Sequence, residues 1–233
     1  SKMGDLNAYA LNKKTFLVQL WHGTPMKKLG LDSINSNAHL INDYLGFILP
    51  WLKLNYNLFI TTSIHTKKYF RSAFNISDDR FLLAGYPRTD VIQSNNSLSD
   101  EGIRVLYMPT YRETYNEEMQ LIDSLNIKKL NHFLKIYNIY FDVKLHPQSK
   151  LTSFFKNNND GNINILEVDD IYETISKYDL LITDYSSIYY DFLLTDKPIL
   201  LAPFDLTHYS KTRGLYEDYM NFQYKFQDEI QRD

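Results

Sequence analysis

The chain has 233 residues, of which 25 are Lys or Arg and 28 are Asp or Glu, for a formal net charge of −3. That balance excludes a general nucleic-acid binder, which needs a basic face to displace counterions. Apolar residues at 44% and charged residues at 23% exclude disorder as the main state, and the length accommodates one large domain or two small ones.

The chain has no cysteine. Disulfides, thiolate zinc sites and cysteine nucleophiles are thereby excluded, and the absence fits a reducing compartment. Ser1–Ala10 is mixed and polar and does not read as a signal peptide. The longest apolar stretch, Tyr44–Ile60, is interrupted by Pro50 and Lys53, so a membrane-spanning helix is not expected.

In chain order, Thr15–Trp21 reads as a buried strand that runs into the turn His22-Gly23-Thr24-Pro25. Ala38–Leu54 has helical spacing with a break at Pro50. Asn57–Thr61 reads as a strand, Ser63–Phe74 as a helix with Lys67, Lys68 and Arg71 on its solvated side, and Phe81–Ala84 as a strand that ends at Gly85-Tyr86-Pro87-Arg88. Ser94–Gly102 is small, polar and turn-rich and reads as a linker. It divides the chain into domains 1–97 and 98–233. In the second part, strands are expected at Ile103–Met108, Ile139–Leu145, Ile163–Val168, Leu180–Thr183 and Pro198–Ala202. Helices are expected at Met119–Tyr137, Asp170–Lys177 and Ser187–Leu194, with a short turn near Ser149–Phe155. Strands alternating with helices predict right-handed β-α-β units and a doubly wound parallel sheet.

Ligands of open α/β sheets bind outside the carboxyl ends of the strands. The residues at those ends are His22, Gly23 and Thr24; Thr110, Tyr111 and Arg112; Lys144 and His146; Asp169; and Asp184, Tyr185, Ser186 and Ser187. Thr183–Ser187 joins a strand to a helix, where Asp or Ser can cap the first turn or free N–H groups can hold a phosphate. The two serine hydroxyls and the planar fork of Arg112 favour phosphate. A Walker lysine motif and a G-x-G-x-x-G fingerprint are both missing. No carboxylate cluster has ligand spacing, so no side-chain metal site and no cofactor are expected.

Six motifs carry a family resemblance: Trp21-His22-Gly23-Thr24-Pro25-Met26-Lys27, Gly85-Tyr86-Pro87-Arg88-Thr89-Asp90, Met108-Pro109-Thr110-Tyr111-Arg112, Lys144-Leu145-His146-Pro147, Thr183-Asp184-Tyr185-Ser186-Ser187 and Arg213-Gly214-Leu215-Tyr216. Their identity and order resemble the CDP-glycerol glycerophosphotransferase family, the polymerases and primases of teichoic acids and related capsules. The resemblance implies a GT-B-like α/β fold of two Rossmann-like domains with parallel sheets. The first domain, at about 100 residues, is shorter than a full one. It further implies His22 and His146 as catalytic residues. Gly23, Thr24, Thr110, Arg112, Lys144, Thr183, Asp184, Ser186, Ser187 and Arg213 are implied as donor-binding residues.

The implied reaction moves glycerol phosphate from CDP-glycerol to a hydroxyl of a lipid-linked polyol-phosphate or glycan acceptor, and CMP leaves. His22 would act as base, and both histidines would meet one diphosphate. The alternatives are a CDP-ribitol or nucleotide-sugar donor, or a non-catalytic module that binds nucleotide or polymer. A lipid-linked acceptor implies a cytoplasmic protein peripheral on the inner face of the membrane. Tyr44–Leu54 is one candidate for that contact, though an ordinary buried helix fits its pattern better.

Overall fold

A computed structural model describes residues 14–34, 56–92, 102–112, 115–158 and 161–216. The expected helix over Ala38–Leu54 and the linker Ser94–Gly102 lie wholly or mostly outside these residues. By contacts the chain forms two compact units. One comprises Ser1–Pro87 and Leu206–Asp233, and the other Arg88–Asp205. The sequence places the boundary at 97/98 and the C-terminal segment in the second domain, whereas by contacts that segment groups with the first unit.

The first unit has a parallel sheet in the order β1-β2-β3, formed by Val18–Gln19, Leu58–Thr61 and Phe81–Leu83. Helix α1, Ile64–Phe74, starts at a capping box in which Ser63 Oγ accepts from Thr66 N at 3.1 Å and Thr66 Oγ1 accepts from Ser63 N at 3.2 Å. The helix ends at Asn75, which is left-handed with φ 49°. Its inner face meets β2 through rings: Phe59 and Phe70 lie 4.8 Å apart and both are fully buried. Lys67 and Arg71, on the solvated side, each reach Asp78 at 3.1 Å.

The second unit has five parallel strands in the order β6-β5-β4-β7-β8. These are β4 Ile103–Met108, β5 Ile139–Val143, β6 Ile163–Ile165, β7 Leu180–Thr183 and β8 Ile199–Leu201. Counted from the first strand of the unit, this is the 3-2-1-4-5 order of a nucleotide-binding sheet. The central strands read as nearly continuous apolar runs because both faces are covered. Leu106, Val143, Phe155, Leu181 and Phe192 are fully buried.

The helices depart from expectation in three places. Met119–Tyr137 is two helices, α2 Tyr115–Ser124 and α3 Ile127–Ile136. Asn126 breaks the pattern by accepting from Lys129 N at 3.1 Å, a cap that starts a new helix. Asp170–Lys177 is made of turns with one 3₁₀ segment, Ile175–Lys177, rather than an α-helix. The turn expected near Ser149–Phe155 is helix α4, Leu151–Asn157. After it come α5 Ile188–Phe192, extended by a 3₁₀ turn over Leu193–Thr195, and α6 Leu206–Thr212, which belongs to the first unit.

Leu106 sits on the central strand with no exposed area. Leu106→Ala should cost about 2–5 kcal/mol through lost transfer energy and an unfilled cavity, read as a lower urea midpoint.

Candidate functional site

Strand β4 is the switch point of the second sheet, since β5 pairs on one side of it and β7 on the other. The chain leaves β4 at Thr110 and β7 at Asp184, so these segments emerge side by side. Asp184 ties them together. Its Oδ1 accepts from Thr110 N at 2.7 Å and from Tyr185 N at 2.6 Å, and its Oδ2 accepts from Arg112 at 2.9 Å. Arg112 also donates to both oxygens of Asp205 at 3.0 Å and to the Thr110 carbonyl at 2.7 Å. Tyr185 completes the frame by donating to Asp205 Oδ1 at 2.9 Å. The guanidinium lies between the rings of Tyr185 and Phe204, at 5.3 and 5.2 Å from their centroids.

This frame corrects the expected role of Arg112. Its side chain is only 2% exposed and is engaged by two carboxylates and a carbonyl, so its planar fork is spent inside the protein rather than offered to a ligand. Asp184 is likewise saturated, and Thr183 gives its hydroxyl to the Met108 carbonyl at 2.7 Å. Burial above all, and then the Asp184 carboxylate, pushes the neighbouring Tyr107 phenol far up, so it stays protonated. Asp205 escaped the sequence reading, although the strand-end rule applied to β8 would have reached it.

Hydroxyls remain at the same edge. Thr110 is 9% exposed and its Oγ1 has no hydrogen-bond partner. A buried hydroxyl without a partner is costly. Ser186 and Ser187 are half-buried. Ser187 has helical backbone angles and its side chain caps nothing, which removes the helix-capping alternative for it. Helix α5 has only five residues, so the macrodipole argument carries little here, and the case for an anion passes to the hydroxyls.

His146 follows β5 and is exposed, with its ring 4.7 Å from that of Tyr111. Its Nδ1 accepts from Gln148 N at 3.3 Å. The neutral ring therefore carries its proton on Nε2, which is left as a donor. Lys144 directs its ammonium to the Val168 carbonyl. Asp169 lies exposed in the loop after β6.

The other histidine belongs to the first unit. Trp21, just before it, has φ +56°, a left-handed conformation that costs a bulky residue about 1–2 kcal/mol. The cost is met by packing and hydrogen bonding. Its ring lies 4.8 Å from Phe74 and 5.8 Å from Phe70, and its backbone N–H donates to Gln19 Oε1 at 2.9 Å. The turn leaves His22 exposed and stacked on the indole at 4.4 Å. Gly23 and Thr24 behind it are buried.

The segment after His22 is held by the C-terminal motif. Lys27 and Leu215 form an antiparallel bridge, with Lys28 N donating to Gly214 O and Tyr216 N to Met26 O, each at 3.1 Å. Gly214 has φ +69°, a left-handed conformation that favours glycine, and a Cβ there would press on the Lys28 and Ile34 side chains at 2.9 Å. Tyr216 stacks on Tyr69 at 4.0 Å and donates to Asp32 at 2.9 Å. Arg213 follows α6 and thus sits in the first unit, beside the segment that bears His22, and not in the domain the sequence reading gave it.

Among the described residues, no group of three or more His, Asp or Glu side chains is arranged to hold a metal ion. No described helix is long and apolar enough to cross a membrane. Tyr44–Leu54 lies outside the described residues.

Replacing Arg112 tests the frame. Arg112→Ala leaves two buried carboxylates without their cation and should cost about 3–5 kcal/mol, seen as a fall in the thermal midpoint of the intact chain.

Comparison with known proteins gives this geometry its context. The chain is 31% identical over 226 residues to the teichoic acid glycerol-phosphate primase of Bacillus subtilis strain 168, covering 90% of this chain and 55% of the relative. It is 28% identical over 228 residues to the teichoic acid glycerol-phosphate transferase of Staphylococcus aureus, covering 88% and 57%. A structure of the wall teichoic acid polymerase TagF soaked with CDPG superposes with a TM-score of 0.65 at 25% identity, over 90% of this chain and 54% of that one. The chain thus spans about half the length of the relatives it matches. The fold is α/β and GT-B-like, as the motifs imply. The family profile of CDP-glycerol:poly(glycerophosphate) glycerophosphotransferases matches residues 3–225, and the chain belongs to that family.

Proposed function

We propose that this chain carries the transfer of glycerol phosphate from CDP-glycerol to a hydroxyl of a lipid-linked polymer, working at the inner face of the membrane. The observation that carries the reading is the unpartnered Thr110 hydroxyl at the switch point of the second unit, next to the chain segment of Ser186 and Ser187. Family membership supports the same reading, and so do the glycerol-phosphate transfer named for the relatives and the CDPG soaked into the polymerase.

In this proposal the acceptor oxygen attacks the glycerol-bearing phosphorus. The bond from that phosphorus to the bridging oxygen breaks, and CMP leaves with the bridging oxygen. His22 takes the acceptor proton, a role suited to an exposed imidazole held by stacking on Trp21. Thr110, Ser186 and Ser187 donate to diphosphate oxygens, and His146 donates through Nε2–H to the charge that builds on the departing CMP. Arg112 acts on the donor only indirectly, because it fixes Thr110 and Asp184 in place. Phosphoryl transfer of this kind depends mostly on positioning and charge stabilisation, which is what this set of side chains can offer.

Thr110→Val tests the donor site directly. It removes an unmet hydrogen bond, so folding stability should hold or rise, by up to about 1 kcal/mol. CDP-glycerol affinity by titration calorimetry should fall roughly ten-fold or more, the loss expected of a hydrogen bond to a charged group. Unchanged affinity would remove Thr110 from the site. His22→Ala should lower kcat for CMP release by about 10²–10⁴ with donor affinity preserved. Parallel assays with CDP-ribitol and a nucleotide sugar identify the donor, and the absence of CMP release from each would leave a nucleotide- or polymer-binding role.

A further inference from the structure

Glu118 lies on α2 and is 4% exposed. Neither the Arg112 frame nor the proposed transfer uses it. A carboxylate that far inside is costly unless its oxygens are bonded, and here both oxygens point at one turn. Oε1 accepts from Ser149 Oγ at 2.8 Å and Oε2 accepts from Lys150 N at 3.2 Å. That turn leads out of β5 into α4 and begins with His146. Ser149 passes the constraint back along it: its N–H donates to the His146 carbonyl at 2.9 Å, while its Oγ accepts from Leu151 N at 3.2 Å. Between them, Gln148 N donates to His146 Nδ1 at 3.3 Å. The orientation of an exposed imidazole is thus set by a turn whose far end is pinned to a neighbouring helix by a buried carboxylate.

We infer that Glu118 is the positioning residue for His146, holding the turn so that Nδ1 stays an acceptor and Nε2–H faces outward. The inference rests on the transfer reading above only where activity is the measurement. A glutamine can reproduce the arrangement in part, because its carbonyl can accept from Lys150 N while its amide donates to Ser149 Oγ. Alanine can do neither.

The test uses the whole chain with ¹⁵N-labelled histidine and backbone, comparing wild type, Glu118→Ala and Glu118→Gln. In Glu118→Ala the Gln148 and Ser149 amides should exchange with solvent up to about ten-fold faster, the effect of one lost hydrogen bond. The His146 Nδ1 resonance should move toward that of His132, which is exposed on α3, and Glu118→Gln should restore most of both. Unchanged exchange and an unchanged Nδ1 resonance, with only a lower thermal midpoint, would overturn the inference and leave Glu118 as a cap of α4. Should Glu118→Ala fail to fold, Ser149→Ala removes the bond to Glu118 Oε1 together with the one from Leu151 N, leaves the Lys150 N bond to Glu118 in place, and is read in the same way. In the activity arm, CMP release should fall roughly ten- to a hundred-fold in Glu118→Ala, and that penalty should vanish in a His146→Ala background. A penalty that persists there would overturn the inference. If wild type releases no CMP, the transfer reading fails, and the exchange and resonance arm decides the role of Glu118 by itself.

Discussion

The second unit is organised around one buried cation. Arg112 holds Asp184 from the end of β7 and Asp205 from the end of β8, while its own backbone leaves β4. Three strand ends are therefore referred to a single guanidinium. Buried charges add little net stability once their desolvation is counted, but they tolerate few alternative arrangements. What this one secures is geometry. Thr110 cannot shift without breaking its N–H bond to Asp184, and Asp184 cannot shift without unpairing Arg112. The proposed donor site of small hydroxyls would need such backing, because serine and threonine side chains are too short to adapt to a displaced ligand.

Much of this was legible in the sequence, for identifiable reasons. The strands of the second unit are apolar runs bounded by turn-formers, and their alternation with helices implies the parallel pairing that the sheet shows. The strand-end rule selects Thr110, His146 and Ser186, and these residues do follow β4, β5 and β7. The role of Arg112 was not legible, because its partners lie 72 and 93 residues further along the chain. A motif shows that an arginine is present but not which carboxylates fold over it. The break at Asn126 was hidden for the opposite reason. It depends on one local side-chain bond inside a stretch whose apolar spacing suits a continuous helix.

The first unit shows the limit of reading motifs one by one. The segment that bears His22 and the Arg213–Tyr216 motif lie nearly two hundred positions apart, yet they pair backbone to backbone. A glycine at 214 has no visible purpose in the linear sequence. Its left-handed backbone supplies one, and a side chain there would also press on Lys28 and Ile34. Trp21 is similar. Its left-handed backbone is unfavourable in isolation and is held by the ring cluster and by Gln19, which together set where the following imidazole stands.

That pairing also bears on how the protein is made. The second unit is one contiguous segment, Arg88–Asp205, whereas the first is split around it. As the chain emerges from the ribosome, the inner unit has every strand it needs before Gly214 has been translated. The outer unit must keep Met26–Lys28 without their backbone partners until then. At translation rates of about 5–20 residues per second, that interval lasts many seconds, during which the first unit, with its three strands already made but its C-terminal segment missing, is exposed to chaperones and to other nascent chains.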